Sequence, residues 1–185
     1  MFPAGLWQGR HTFLCMAEIL LFYEGMLLAD VTLFVPAFFA LLLSGAALED
    51  GRTGYISDGW SFLLASGGLS TSFHEGHLLW GAVAALLSFC IYGMLYFISR
   101  QSMGTGDILL ASAASCWLTP LSCLLFIWFS ALTASIFLGA GLVLEKWSLS
   151  EKVRFAPFMA LGGILAYGWQ EIWGTSSCSP WFPFG

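Results

Sequence analysis

The sequence predicts an all-α fold, a polytopic bundle of transmembrane helices, and three observations support this prediction. Hydrophobic residues make up 58% of the 185 residues and charged residues only 9%, and the mean hydropathy is +0.83. A soluble domain carries about 25% charged residues, so this chain has too few polar side chains to cover a globular surface in water. Apolar segments of about 20 residues, the length that crosses a bilayer, recur along the chain.

Six apolar segments are predicted as core helices. Thr119-Pro120 separates the fourth from the fifth, because proline cannot continue a helix freely. A seventh, N-terminal helix at residues 12–29 is an alternative to a segment that lies at the interface or packs inside the bundle, since it contains two glutamates. No internal repeat divides the chain, so residues 1–185 are predicted to form a single membrane-embedded domain. In chain order the six predicted core helices are residues 31–48, 56–72, 78–99, 107–118, 121–144 and 156–173.

Charge and cysteine usage exclude several other classes of protein. The net charge is −5 and no basic run occurs, so nucleic acid is not expected as a partner. The five cysteines include no CxxC pair, so neither a zinc site nor a thioredoxin-type site is expected. Residues 1–9 lack the basic start of a signal peptide, and the apolar segments are therefore expected to be retained.

The basic residues predict how the bundle is oriented in the lipid bilayer. Cytoplasmic loops of membrane proteins carry an excess of lysine and arginine. Five of the six basic residues fall in loops on one side of the predicted bundle, which should therefore face the cytoplasm. These residues are Arg52, Arg100, Lys146, Lys152 and Arg154.

Two acidic clusters lie at this predicted cytoplasmic edge. The first follows the first core helix and contains Glu49, Asp50 and Asp58. The second, Gly104-Thr105-Gly106-Asp107, precedes the fourth core helix. Charged residues are costly in such an apolar chain unless they face protein or water, so we expect these acids to have a defined role.

Two carboxylates brought together at this edge would have the chemistry of an aspartic protease. In a partly dry site both cannot ionise easily, so one proton is shared. The ionised acid activates a water, and the protonated acid donates to the scissile carbonyl oxygen. The glycines before Asp107 tolerate a strained backbone and let an extended substrate approach closely. The alternative interpretation is that Asp107 only caps the fourth helix.

Three short blocks carry a resemblance to a known family. Residues 48–58 contain an Asp-x-Arg step that leads into the next helix, residues 103–107 contain the Gly-Thr-Gly-Asp sequence, and residues 155–162 begin the last helix with a proline. In this order and spacing, the blocks resemble those of the type IV prepilin peptidases, which belong with the GxGD-type membrane aspartic proteases. The resemblance spans about residues 31–173.

The resemblance implies an aspartic endopeptidase that uses Asp50 and Asp107 as its catalytic pair. It implies cleavage after a glycine that removes the basic leader of prepilin or pseudopilin substrates, at the cytoplasmic side of the bacterial inner membrane, with no cofactor and no metal. Asp58 is the alternative first aspartate, and Asp50 is preferred because Asp58 matches the non-catalytic residue that begins the family's next helix. The other expected site residues are the loop Gly104, Thr105 and Gly106 and the candidate neighbours Glu49, Arg52, Asp58 and Pro157.

The sequence also departs from the family pattern. Leu109 stands where the family often has a lysine, and Ser57 and Arg154 replace prolines of the first and last blocks. No tetracysteine zinc site accompanies the blocks, so the resemblance is to the short form, without the methyltransferase part. These departures bear on substrate detail more than on the aspartate pair.

Two other classes of function remain as alternatives. One is a GxGD-type intramembrane protease of another substrate, although its relatives commonly have Tyr-Asp where this chain has Glu49-Asp50. The other is a non-catalytic membrane protein of transport or assembly, including an inactive peptidase homologue, in which the aspartates are structural or relay protons. The sequence leaves the particular substrate and the oligomeric state open.

One further motif lies away from the acidic clusters. His74-Glu75-Gly76-His77 resembles a zinc-protease motif, but its spacing is H-E-x-H rather than H-E-x-x-H. The two imidazoles would therefore not share one helix face as that zinc site requires. We predict a solvated turn on the outer side of the bundle, with no metal.

Overall fold

The structure is a computed structural model that describes residues 18–20, 23, 34–98, 104–144 and 154–176. Within these ranges the chain forms helices joined by short loops and contains no strand, so the all-α prediction is confirmed for this part of the chain. In chain order the helices are α1 (Phe34–Thr53), α2 (Asp58–His74), α3 (Leu78–Ile98), α4 (Thr105–Ser115), α5 (Pro120–Val143) and α6 (Ala156–Ser176).

Three of these helices, α1, α3 and α5, are long and apolar enough by length and composition to cross a membrane. This agrees with the expected contact with a lipid bilayer, because a helix needs about 20 apolar residues to cross the hydrocarbon core. Helix α4 has 11 residues and extends only about 16 Å at 1.5 Å per residue. Of the six predicted core helices, three therefore meet the criterion for spans.

Successive helices run in opposite directions, so their ends meet at two ends of the bundle. At one end α1 ends, α2 and α4 begin, and α6 begins; we call this the acidic end because Asp50 and Asp107 lie there. At the other end α2 and α4 end, and the Ser72 hydroxyl donates to the carbonyl oxygen of Cys116 at 2.9 Å. Helix α4 packs against α2, α3 and α6, which places it inside the bundle.

Aromatic side chains fill the core between α1, α2 and α6. Trp117 follows α4, is 4% exposed, and donates its indole N–H to the carbonyl oxygen of Leu64 at 2.7 Å. Its ring lies 5.2 Å from the Phe39 ring, and Phe39 in turn lies 5.1 Å from Tyr167 (centroid distances). A buried tryptophan needs a partner for its N–H, and here that hydrogen bond ties the turn after α4 to α2.

The end of α1 differs from the prediction. The helix was expected to end at residue 48 but continues to Thr53, so Asp50 lies within its last turns rather than after it. Gly54 follows with a φ of 69°, and its N–H donates to the carbonyl oxygen of Asp50 at 2.9 Å. A left-handed glycine is a common helix stop, and it, not the preceding acids, marks the end of α1.

Helix α4 is shorter than predicted. It was expected to end at residue 118 but ends at Ser115, because the N–H groups of Cys116, Trp117 and Leu118 bond to carbonyl oxygens three residues earlier in a tight turn. The predicted N-terminal helix at residues 12–29 lies mostly outside the described residues, and of it only 18–20 and Tyr23 are described, as helical.

Gly162 lets α6 approach α5 closely. A Cβ at this position would stand 2.7 Å from the backbone nitrogen of Ser130 and 3.0 Å from the carbonyl oxygen of Phe126, both on α5. Small residues at such crossings are typical of helix packing in membranes. The Ser130 hydroxyl also stands against this position, but because two of the close atoms belong to the α5 backbone, rotation of a side chain alone would not make room for a methyl group.

We therefore predict that Gly162→Ala destabilises the protein by about 1–3 kcal/mol, as overpacking does. In a thermal melt in detergent this corresponds to a fall in Tm of about 2–12 °C for a chain of this size. Gly168→Ala is the matched control on the same helix, because a Cβ there meets no atom within 4 Å. Equal melting of the two variants would contradict the close approach of α5 and α6.

Candidate functional site: two aspartates at the acidic end

Asp50 continues the buried face of α1. Buried residues recur on this helix every three or four positions, through Leu43 and Ala46 to Asp50, as expected for one face of an α-helix. Asp50 is 6% exposed, and its Oδ2 has no hydrogen-bond partner in the described part of the chain. A buried, unpaired carboxylate oxygen costs free energy, so this atom is a candidate contact for a ligand or a reacting group.

Two groups at the start of α6 act on the Asp50 carboxylate. The backbone N–H of Ala156 is directed to it as a hydrogen-bond donor, and the guanidinium of Arg154 attracts it electrostatically. The N-terminus of a helix carries partial positive charge and unpaired N–H groups. A hydrogen bond from a helix N-terminus and a positive charge within range offset part of the cost of burying a carboxylate. Packing of α1 against α6 therefore brings a negative side chain to a positive helix end.

Asp107 is the third residue of α4 and folds back over the start of that helix. Gly104 is the N-cap, with extended backbone (φ −72°, ψ 141°), and its carbonyl oxygen accepts from the Asp107 N–H at 3.2 Å. The Gly104 N–H is in turn directed to the Asp107 carboxylate. An acid at the third helical position that reaches back to the N-cap N–H is one half of a capping box. Asp107 therefore has a capping contact, while Thr105 beside it is exposed.

The acidic end brings Asp50 and Asp107 close enough for their charges to interact. Asp107 lies outside the three long apolar helices. Burial raises the pKa of Asp107 to about 6, the Asp50 charge adds to the rise, and the Gly104 N–H opposes it. A carboxyl with this pKa carries a proton for part of the time near neutral pH. The pair is thus electrostatically coupled, as two acids that share a proton would be.

The loop between α1 and α2 connects the two acids structurally. Glu49 accepts a hydrogen bond from the backbone N–H of Ser57, with 3.2 Å between nitrogen and Oε2. Ile56 is 5% exposed and packs on the first turn of α4, where a Cβ on Gly106 would stand 3.5 Å from the Ile56 Cβ. Glu49 therefore fixes the backbone of this loop through a hydrogen bond, and the absence of a side chain on Gly106 lets the loop pack closely beside Asp107.

The remaining predicted site residues lie around the pair at this end. Asp58 is exposed and begins α2, where Ser57 rather than Asp58 is the N-cap. Arg52 is exposed in the last turn of α1, and Pro157 is half-buried as the second residue of α6. Of the two candidates for the first aspartate, Asp50 is the buried one that interacts with Asp107.

Two residues near the pair were not predicted as site residues. The sequence marks Arg154 only as a basic loop residue and as a departure from the prepilin-peptidase pattern. Tyr92 of α3 is 2% exposed, and its hydroxyl hydrogen-bonds to Ser130 within electrostatic range of Asp107. The signal for Arg154 was its place just before a helix start, whereas a tyrosine inside an apolar helix carries no such signal.

The motif at residues 74–77 lies at the opposite end of α2 from Asp58. It forms an exposed turn in which Gly76 has a φ of 75°. Within the described residues, no group of three or more His, Cys, Asp or Glu side chains is arranged to hold a metal ion. Glu75 interacts instead with Glu171 and His77.

Comparison with known proteins gave no match. No protein-family model matches the chain, and no curated protein or solved structure matches it either. The resemblance to the prepilin peptidases therefore rests on the three sequence blocks, and the placement of the two aspartates rests on the structure.

The raised pKa of Asp107, caused mainly by burial and in part by the Asp50 charge, predicts a pH-dependent effect of Asp107→Asn on stability. Because the pKa of Asp107 in the folded state is raised from 3.8 to about 6, the folded state loses stability as pH rises through this window. Asparagine removes that loss, and its side-chain oxygen still accepts from the Gly104 N–H. We expect a gain of about 1–2 kcal/mol at pH 8, seen as a rise in Tm of about 3–6 °C. The gain should disappear near pH 4.

Asp58→Asn is the control for this measurement, because it removes the same charge from an exposed position at the same end of the bundle. Its Tm should differ from that of the wild type by a similar small amount at both pH values. If Asp107→Asn showed no more pH dependence than Asp58→Asn, the raised pKa of Asp107 would be wrong.

Proposed function

We propose that this chain is a membrane aspartic endopeptidase of the prepilin-peptidase type, with Asp50 and Asp107 as its catalytic pair. The observation that carries the proposal is the meeting of these two acids at one end of an apolar bundle, where Asp50 is buried and keeps one oxygen unpaired in the described part of the chain. Placing two interacting carboxylates in such surroundings is costly. A shared proton lowers this cost, and it is also what acid–base hydrolysis of a peptide requires.

The reaction follows from one ionised and one protonated acid. The ionised carboxylate takes a proton from water as the water oxygen attacks the scissile carbonyl carbon, and the protonated acid donates to the carbonyl oxygen. In the resulting gem-diol, the second acid takes back a hydroxyl proton while the first donates to the leaving nitrogen. The C–N bond then breaks, and both acids return to their starting protonation states.

The proposed substrates are prepilin-like or pseudopilin-like proteins. In this proposal, all six helices lie in the bacterial inner membrane and the acidic end is at the cytoplasmic edge, with α4 reaching only part of the way across. The substrate's apolar helix would lie against the bundle, and its basic leader would cross the aspartates. The position of Arg52 and Arg154 at this end agrees with the excess of basic residues in cytoplasmic loops.

One observation favours a second candidate, a non-catalytic membrane protein of transport or assembly. The contact of the Asp107 carboxylate with the Gly104 N–H is a helix cap, and a cap needs no catalysis. This contact explains an acid at the start of α4. It does not explain why a second acid, Asp50, is buried within interaction range of the first, which is why the peptidase is preferred.

The proposal predicts cleavage of a prepilin-type substrate by the purified protein in detergent. A single cut after the leader glycine should appear by mass spectrometry. Asp50→Asn and Asp107→Asn should each lower the rate by at least about 100-fold, the contribution of a general acid or base. Glu75→Gln, at the other end of the bundle, should cleave as the wild type does.

Other outcomes of this experiment identify the alternatives. If Asp50→Asn cleaves and Asp58→Asn does not, the first aspartate is Asp58. If a folded wild-type protein leaves prepilin and pseudopilin substrates intact, the peptidase proposal fails. Cleavage within the apolar helix of a substrate, rather than at its leader, would point to an intramembrane protease.

The proposed orientation predicts which end of the bundle a membrane-impermeant maleimide reaches in intact spheroplasts. Asp58→Cys, at the acidic end, should be labelled only after the membrane is permeabilised. His77→Cys, at the other end, should be labelled without permeabilisation, since both positions are exposed on the protein. The background for both variants replaces the native cysteines with serine. Labelling in the opposite order would place the acidic end outside the cell.

A further inference from the structure

Gly54 and Arg154 form a contact at the acidic end that the proposed reaction does not yet use. A Cβ on Gly54 would stand 3.8 Å from Nη2 and 3.9 Å from Nε of Arg154, so the guanidinium lies against this glycine. Gly54 is also the residue whose N–H donates to the carbonyl oxygen of Asp50. The turn that ends α1 therefore holds this cation within electrostatic range of the buried Asp50 carboxylate.

Considered by themselves, the dipoles of the helix ends favour a negative charge on Asp107 and disfavour one on Asp50. Asp50 lies near the C-terminus of α1, where the helix dipole disfavours a negative charge. Asp107 lies in the first turn of α4, where the dipole and the Gly104 N–H favour one. Some other group must therefore act if the charge is to stay on Asp50.

Arg154 and the N-terminus of α6 both favour a negative charge on Asp50. The guanidinium attracts the Asp50 carboxylate, and the Ala156 N–H donates to it. Within the described residues, burial and the Asp50 charge disfavour the ionised form of Asp107, and the Gly104 N–H favours it. No cation acts on Asp107 in this part of the chain. The two acids therefore differ in that only Asp50 has a positively charged side chain acting on it in this part of the chain.

We propose that Arg154 is a positioning residue of the site. Seated on Gly54, it keeps the negative charge of the pair on Asp50, so that Asp107 carries the proton. Within the peptidase proposed above, on which this inference rests, Asp50 is then the base that activates water and Asp107 is the acid that donates to the scissile carbonyl oxygen.

Other charged groups around Asp50 do not replace Arg154 in this role. On its own helix, Glu49 is bound to the Ser57 N–H. Arg52 and Arg154 are both exposed, but of the two only Arg154 acts electrostatically on the Asp50 carboxylate. From α2, Asp58 is exposed, and from α4, the interacting group is Asp107 itself.

The first test is the pH profile of kcat/KM between pH 4.5 and 8.5 for the full-length protein in detergent with a prepilin-type substrate. Loss of the cation in Arg154→Gln should move the ascending, acidic limb upward by about one pH unit, the lower end of the effect of a nearby opposite charge on a carboxylate. Cleavage should therefore fall about tenfold on that limb and recover at high pH. Arg154→Lys should restore the limb, and Arg52→Gln should leave its position unchanged.

A profile of Arg154→Gln that is lower at every pH but keeps the wild-type limb would overturn the proposal, because it would show a structural role only. An equal shift of the limb in Arg52→Gln would also overturn it, since any positive charge at this end would then have the same effect.

A second test needs no cleavage and so separates this inference from the proposed function. In thermal melts at pH 8, Arg154→Gln should lower the Tm by about 2–4 °C in the wild type and in the Asp107→Asn background. It should have little effect in the Asp50→Asn background, where the partner charge is gone. If the loss of Tm depended on Asp107 instead of Asp50, the assignment of the charge would be wrong, whether or not the protein cleaves prepilin.

Discussion

The acidic end of the structure depends on the interactions of the buried Asp50 carboxylate with the groups that face it. A charge in an apolar bundle is stable only when helix ends, N–H donors and other charges face it. Here the end of α1, the start of α6 and the start of α4 converge on that one side chain. These three helix ends must lie side by side at one end of the bundle. In the loop between α1 and α2, the left-handed Gly54 ends α1 and the Glu49–Ser57 hydrogen bond fixes the turn into α2.

The rest of the bundle obeys a simpler constraint. In lipid the backbone must satisfy its own hydrogen bonds, so the spanning parts of the chain are helical. Attraction between such helices comes from close packing rather than from the hydrophobic effect. Gly162 against Ser130 is one such approach, and the Trp117 N–H bonded to Leu64 is a second, directional contact. The Trp117 contact ties the turn after α4 to α2 and so helps to fix the position of α4, which carries Asp107.

The two acids sit at helix ends of opposite polarity, which gives the pair a built-in asymmetry. The start of α4 stabilises a charge on Asp107, and the end of α1 destabilises one on Asp50. The guanidinium of Arg154 acts in the other direction. A pair with two such opposing influences is sensitive to a single cation, because one pKa unit corresponds to only about 1.4 kcal/mol. This sensitivity is why a single residue such as Arg154 can affect which of the two acids is ionised.

The sequence by itself determined the helical class, the apolar character and the two acidic clusters, because composition and segment length depend only on residue types along the chain. It placed most helix ends within a few residues but ended α1 too early, since the glycine that stops the helix lies after the acids. Only the tertiary structure decided that Asp50 rather than Asp58 is buried against Asp107, that Glu49 braces a loop, and that Arg154 acts on Asp50. Burial and electrostatic contact depend on which helix faces pack together, and this packing is not encoded in the spacing of any one segment.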